Sequence, residues 1–124
     1  MKTLKLLPLV FLLSTFAACK KATPIPSDKE YYIGLWKPEK PNAGETIELQ
    51  INADGTGRYA TSKKGKQVTY EGNVYFQGGD DFAIGGKLIK KKIEVSRPPA
   101  KIIESLTPLV FHFEATFDDV RFRR

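Results

Sequence analysis

This chain predicts an all-β fold, a small antiparallel barrel or strongly curved sheet of seven to eight short strands. Three observations carry that expectation. From about residue 30 onward the chain is built of short runs in which apolar and polar residues alternate, the period of a half-buried strand. The runs are separated by clusters of Gly, Asp, Asn and Pro, the residue types that tight turns use. Beyond the N-terminal leader, no apolar stretch recurs at helical spacing over a usable length.

Glu30 to Lys37 is the first expected strand, apolar on both faces through Tyr31, Tyr32, Ile33, Leu35 and Trp36. After Pro41-Asn42-Ala43-Gly44, Glu45 to Asn52 alternates with Ile47, Leu49 and Ile51 inward. Asp54-Gly55 marks a hairpin, because two-residue turns need positive φ and these residues tolerate it. Thr56 to Ser62 returns with Tyr59, and Lys63-Lys64-Gly65-Lys66 makes a basic turn. Gln67 to Gln77 is the longest run, with Gly72 expected at a bend or bulge. Gly78 to Asp81 closes it, and Phe82 to Ile84 and Leu88 to Ser96 follow. Pro98, Pro99 and Pro108 argue against a regular central strand between Arg97 and Pro108, where Ala100 to Leu106 is expected to form a helical turn. Leu109 to Phe117 places Leu109, Phe111, Phe113, Ala115 and Phe117 inward, and Val120 to Arg123 ends the set.

Residues 1–18 resemble a bacterial lipoprotein signal. Lys2 and Lys5 precede the apolar run Leu6 to Leu13, and Ser14 to Ala18 lead to Cys19, the single cysteine of the 124 residues. Phe16-Ala17-Ala18 stands where the lipobox carries Leu and two small residues. The apolar run is too short to span a bilayer, which takes about 20 residues. Cleavage as an ordinary secretory signal would leave an unpaired exported thiol. The resemblance implies lipid on Cys19, a membrane anchor, and a place in the bacterial cell envelope. Lys20 and Lys21, rather than Asp, follow the cysteine, which in the enterobacterial pattern implies the outer membrane facing the periplasm. Residues 19–29, with Pro24 and Pro26, are expected to be an extended tether lifting the domain about 30 Å from the lipid. Residues 30–124 form one domain.

The formal charge is +6, and +4 remains on side chains once Lys2 and Lys5 leave with the signal. On an exported protein this balance points to anionic lipid, a cell-wall polymer or an acidic protein face, and not to nucleic acid. Lys63, Lys64 and Lys66, with Lys87, Lys90, Lys91 and Lys92, form the candidate basic patch if their strands lie together. The plain alternative is an edge strand guarded against aggregation.

Gly34-Leu35-Trp36, followed by alternating strands and an Arg-containing last strand at Arg121 to Arg124, resembles lipocalin-like (calycin-like) barrels, in which a Gly-x-Trp start packs under a late arginine. The resemblance implies barrel-base packing of Trp36 with Arg121 and, as an alternative function, carriage of a small hydrophobic ligand. His112, the sole histidine, lacks a partner at recognisable catalytic or zinc spacing. Asp80-Asp81 and Asp118-Asp119 read as turn residues, and Asp54-Gly55-Thr56-Gly57 as a hairpin rather than a phosphate loop. No catalytic residue, metal site or cofactor is expected. The expected function is a monomeric, non-enzymatic envelope binding module that recognises a protein or an anionic component. A hydrophobic-ligand carrier and an inhibitor or immunity protein against an exported enzyme are the alternatives.

Overall fold

The computed structural model describes residues 22–124, so the expected signal, Cys19, Lys20 and Lys21 lie outside the described residues. A short 3₁₀ helix, Ser27–Tyr32, leads into β1 (Gly34–Pro38), β2 (Glu45–Ile51), β3 (Thr56–Lys63), β4 (Lys66–Phe76) and β5 (Phe82–Gly85). β6 (Lys90–Ile93), β7 (Val95–Leu106), β8 (Leu109–Phe117) and β9 (Val120–Arg123) follow. All pairings are antiparallel, in the order β6-β5-β4-β3-β2-β1-β9-β8-β7. The two edge strands, β6 and β7, are consecutive in sequence with Glu94 between them. The sheet therefore curls until its edges meet at one corner, giving a half-barrel.

That corner is held by side chains from two turns. Val95 N–H donates to the Asp81 carboxylate at 2.8 Å, and Glu94 N–H donates to the Asp118 carboxylate at 2.9 Å. Asp118 N–H returns a bond to the Glu94 carbonyl at 2.8 Å. Charged acceptors make these stronger than neutral hydrogen bonds. The acidic turns thus hold the seam shut.

The expected inward phases of β2, β4 and β5 form the core, whereas in Leu109 to Phe117 only Ala115 and Phe117 are buried, because Leu109 and Phe111 run past the end of β9 and nothing among the described residues lies opposite them. Trp36, Leu49, Ile51, Phe82, Ile84, Ile93, Phe117 and Phe122 are fully buried, and edge-to-face contacts link Trp36 to Phe117 and Phe82 to Phe117. Tyr32 closes the mouth of the half-barrel, its ring edge-on to Phe76 and Phe82. Aromatic and aliphatic side chains fill the interior, and the surface grooves are lined mostly by polar residues, with Tyr32 shared between the core and one groove.

Four expectations are corrected. The first strand begins at Gly34, not Glu30, because Tyr32 is drawn over the core and its carbonyl accepts the Trp36 indole N–H at 2.8 Å, which bends Ser27–Tyr32 into a helix. The segment Leu88 to Ser96 breaks at Glu94, where the chain leaves β6 for β7, so nine strands replace seven to eight among the described residues. Ala100 to Leu106 is strand rather than helical turn. β7 is an edge, and Pro98 and Pro99 fall in a register shift between Arg97 and Ala100 where no ladder partner needs their missing N–H. Gly72 lies opposite Gly57 in an uninterrupted register, so of the expected bend or bulge the bulge is absent, while its φ of +150 falls where the pairing with β5 begins at Asn73.

The tether is also shorter than expected. Ile25 N–H donates to the Ala53 carbonyl at 3.1 Å, and the Thr23 carbonyl lies against Gly55. Gly55 has φ +93, and a Cβ there would collide with Thr23. The chain is therefore docked on the β2–β3 turn from Thr23 onward, ahead of the expected boundary at Lys29.

Candidate functional site

Strand alternation sorts the turns into two ends. The β2–β3, β4–β5 and β7–β8 connections and the start of β1 lie at one end, where Thr23 to Ile25 docks. The β1–β2, β3–β4, β5–β6 and β8–β9 connections lie at the other. Lys63, Lys64 and Lys66 surround the β3–β4 turn, and Lys87 sits in the β5–β6 loop. The candidate lysines thus favour the end opposite the docked N-terminal segment.

They do not form one patch. β5 pairs with β4 only from Asn73 to Phe76, whereas β3 pairs with it down to Lys66. The β3–β4 hairpin consequently overhangs β5 by about 20 Å of strand at ~3.3 Å per residue, placing its lysine tip well away from Lys87. Lys63 lies 3.6 Å from Glu45, while Lys64 and Lys66 enter no ion pair among the described residues. Lys64 adopts φ +51 beside Gly65 at φ +76, the two positive φ values of a tight two-residue hairpin turn.

On β6 the three lysines divide by face. Lys90 and Lys92 point outward, and the Lys90 ammonium stands 4.8 Å from the Tyr75 ring centre. Lys91 shares the inward phase of Ile93, reaches Asp118 at 3.0 Å and lies 5.5 Å over the Tyr59 ring. Burial works against the Lys91 charge, but the hydrogen bond and charge of Asp118 outweigh it and hold its ammonium above the usual lysine value. Lys91 is a seam residue, and the exposed cations of this edge are Lys90 and Lys92.

At the barrel base the arginine over Trp36 is Arg124, its guanidinium carbon 5.3 Å from the Trp36 ring centre and 4.0 Å from that of Phe113. Burial lowers the Arg124 pKa from its ordinary value. Gly34 leaves the space through which Arg124 passes, since a Cβ there would come within 2.6 Å of the arginine Cδ. Arg121, the expected partner, instead faces outward and pairs with Glu39 at 3.6 Å. Residues alternate in facing along β9, so the inward lean over Trp36 falls to the residue after the strand.

A polar array that sequence reasoning missed lies on the outer face of β7, β8 and β9. His112 Nδ1 is 2.8 Å from Glu104 and Nε2 is 2.6 Å from Glu114, while Arg123 lies 3.6 Å from Glu104. The hydrogen bond to Glu114, then that to Glu104, raises the His112 pKa, and Glu114 is lowered in turn by His112. The Glu114 half was legible as an i, i+2 pair on one strand face. Glu104 arrives only through the β7–β8 register. No nucleophilic side chain bonds to this imidazole among the described residues, and the array fastens three strands together.

Among the described residues no group of carboxylates and histidine is arranged to hold a metal ion, and no helix is long and apolar enough to cross a membrane. Comparison with known families, curated proteins and solved structures finds no match in any of the three.

Proposed function

We propose that the chain is a non-enzymatic, lipid-anchored module of the bacterial envelope that presents the β3–β4 hairpin to an acidic partner, either a protein face or an anionic polymer. One observation carries this reading: the N-terminal segment following Cys19 docks at one end of the half-barrel, and the overhanging hairpin carries Lys63, Lys64 and Lys66 at the other. A lipid on Cys19 would direct that basic tip away from its own membrane, towards the periplasm if the outer membrane is the site. Exposed lysines on a two-stranded overhang raise the encounter rate with an acidic face more than they raise affinity. The Gly34, Trp36 and Arg124 contact supports a lipocalin-like base to the half-barrel. The filled interior favours surface recognition over carriage of a hydrophobic ligand.

A photoreactive residue in place of Lys64, in the full chain in intact cells, tests the reading. Adducts whose yield drops severalfold when Lys63→Glu and Lys66→Glu are added support it. Absence of adducts, or adducts indifferent to those changes, would refute it.

A further inference from the structure

The β7–β8 hairpin carries most of the exposed apolar side chains of the described residues. Phe113 and Arg124 exchange two backbone hydrogen bonds at 3.1 Å, and beyond that pair β8 has β7 as its only strand neighbour among the described residues. Four further residues, Leu109 to His112, run out past β9 for about 13 Å at ~3.3 Å per residue. Ile103, Leu106, Leu109 and Phe111 line one face of this overhang, with Ile102 and Val110 on the other. Leu106 is 77% exposed and Leu109 59%. A two-stranded ribbon is marginal by itself, and this one is apolar on its inner face, while Ile102 and Val110 flank the His112–Glu104 pair on its outer face.

The base of the ribbon has a different chemistry. The Lys101 ammonium sits 4.5 Å from the Phe111 ring centre, and Arg124 covers Phe113 while donating to the Tyr31 carbonyl at 3.1 Å. Phe111, Phe113 and Tyr31, with Lys101 and Arg124, thus form an aromatic and cationic collar below an apolar tip. The nearby Glu104 carboxylate is engaged by His112 and Arg123. Aromatic rings and snorkelling cations are what a bilayer interface accommodates beneath inserted aliphatic groups.

The position of the tip selects the occupant. The β7–β8 turn lies at the same end of the half-barrel as the β2–β3 turn on which Thr23 to Ile25 docks. Cys19 precedes Thr23 by four residues, which span at most about 14 Å even when fully extended. An acyl chain on Cys19 therefore brings the membrane surface to the end from which the ribbon projects. We infer that the β7–β8 tip inserts into the bilayer interface beside the lipid anchor, fixing the orientation of the half-barrel on its membrane. This rests on the lipid-anchor reading of Cys19.

With Cys19 acylated, Leu109→Cys introduces a single free thiol, as Lys66→Cys does at the opposite end. Each full-length variant, labelled with an environment-sensitive fluorophore, is reconstituted in phosphatidylethanolamine and phosphatidylglycerol vesicles. Intact mass first establishes the lipid on Cys19. A blue-shifted emission at position 109, quenched severalfold more by lipid-borne spin labels than that at position 66, supports insertion. Water-exposed emission at both positions on a chain that carries its lipid overturns the inference and leaves the anchor standing. A chain without added lipid mass overturns both.

Discussion

The Asp118 carboxylate accepts the Glu94 N–H at 2.9 Å while the Asp118 N–H donates to the Glu94 carbonyl at 2.8 Å, so one turn residue grips the backbone link between the two edges of the sheet. The same carboxylate meets Lys91 at 3.0 Å. An edge strand left open is a template for pairing with other chains. Here the seam is closed at one corner by charged groups supplied from the β8–β9 turn and, through Asp81, from the β4–β5 turn.

Asp118→Ala strands the Glu94 N–H and the Lys91 ammonium, and is expected to destabilise the fold by about 1–3 kcal/mol. Asp118→Asn keeps the acceptor but loses the charge, and should recover part of that loss. Urea unfolding of the three proteins measures the ordering, and equal midpoints for Ala and Asn would show that the charge alone matters.

Asp119 has φ +63, and its side chain makes no hydrogen bond among those described. Asp119→Gly removes the left-handed strain and is expected to stabilise the protein by about 1 kcal/mol. Thermal unfolding would show a raised midpoint, and an unchanged or lowered one would contradict the account.

Trp36 is fully buried, donates to the Tyr32 carbonyl and lies under Arg124. Trp36→Phe leaves a void and an unpartnered carbonyl, a combined loss of about 2–4 kcal/mol. The Tyr32 hydroxyl, pushed above its ordinary pKa by burial and then by Asp80, should titrate nearer to the ordinary tyrosine value as the mouth loosens. Ultraviolet titration of the variant checks this.

His112 is held above its ordinary pKa by Glu114 and Glu104. The sign follows from linkage: its stabilising contribution is complete below the unfolded value of about 6.5 and is lost as pH rises through the higher folded value. Glu114, lowered by His112, adds stability that disappears as pH falls through its folded value in acid. Wild type should therefore lose stability relative to His112→Gln as pH is raised above neutrality. Parallel stability profiles across that range would dissociate the array from folding.

Gly55→Ala places a methyl group on the Thr23 carbonyl as well as straining a backbone at φ +93. Thr23 to Ile25 should leave the β2–β3 turn, and hydrogen exchange at the Ile25 amide should accelerate severalfold. Protection equal to wild type would mean that the segment is held elsewhere.

Much of the sheet was legible as pattern. The alternation in Glu45 to Asn52 set Leu49 and Ile51 inward, and the glycine-containing turns set the hairpins of β2, β3 and β4. Leu109 to Phe117 was read inward along its whole length, yet only Ala115 and Phe117 are buried. Periodicity reports which face a residue takes, but not whether anything lies opposite. The lysines illustrate the same limit: seven positions that would form one patch only if their strands lay together divide into a distant tip, a loop, two outward cations on the edge strand β6 and the seam residue Lys91.

The sequence by itself determined the class of fold, because alternation and turn chemistry act over a few residues and need no distant partner. The resemblance of Gly34-Leu35-Trp36 to a lipocalin-like start also pointed to packing around Trp36, and the structure alone shows that Arg124 passes over Gly34. Tertiary structure decided which arginine covers Trp36, how Glu104 reaches His112, and that Asp118 rather than a strand pairing closes the seam. It also decided that the β7–β8 ribbon stands bare at the end where Thr23 docks. Each depends on register and curl, which sum small contributions from every strand in the sheet, and no local stretch of sequence encodes that sum.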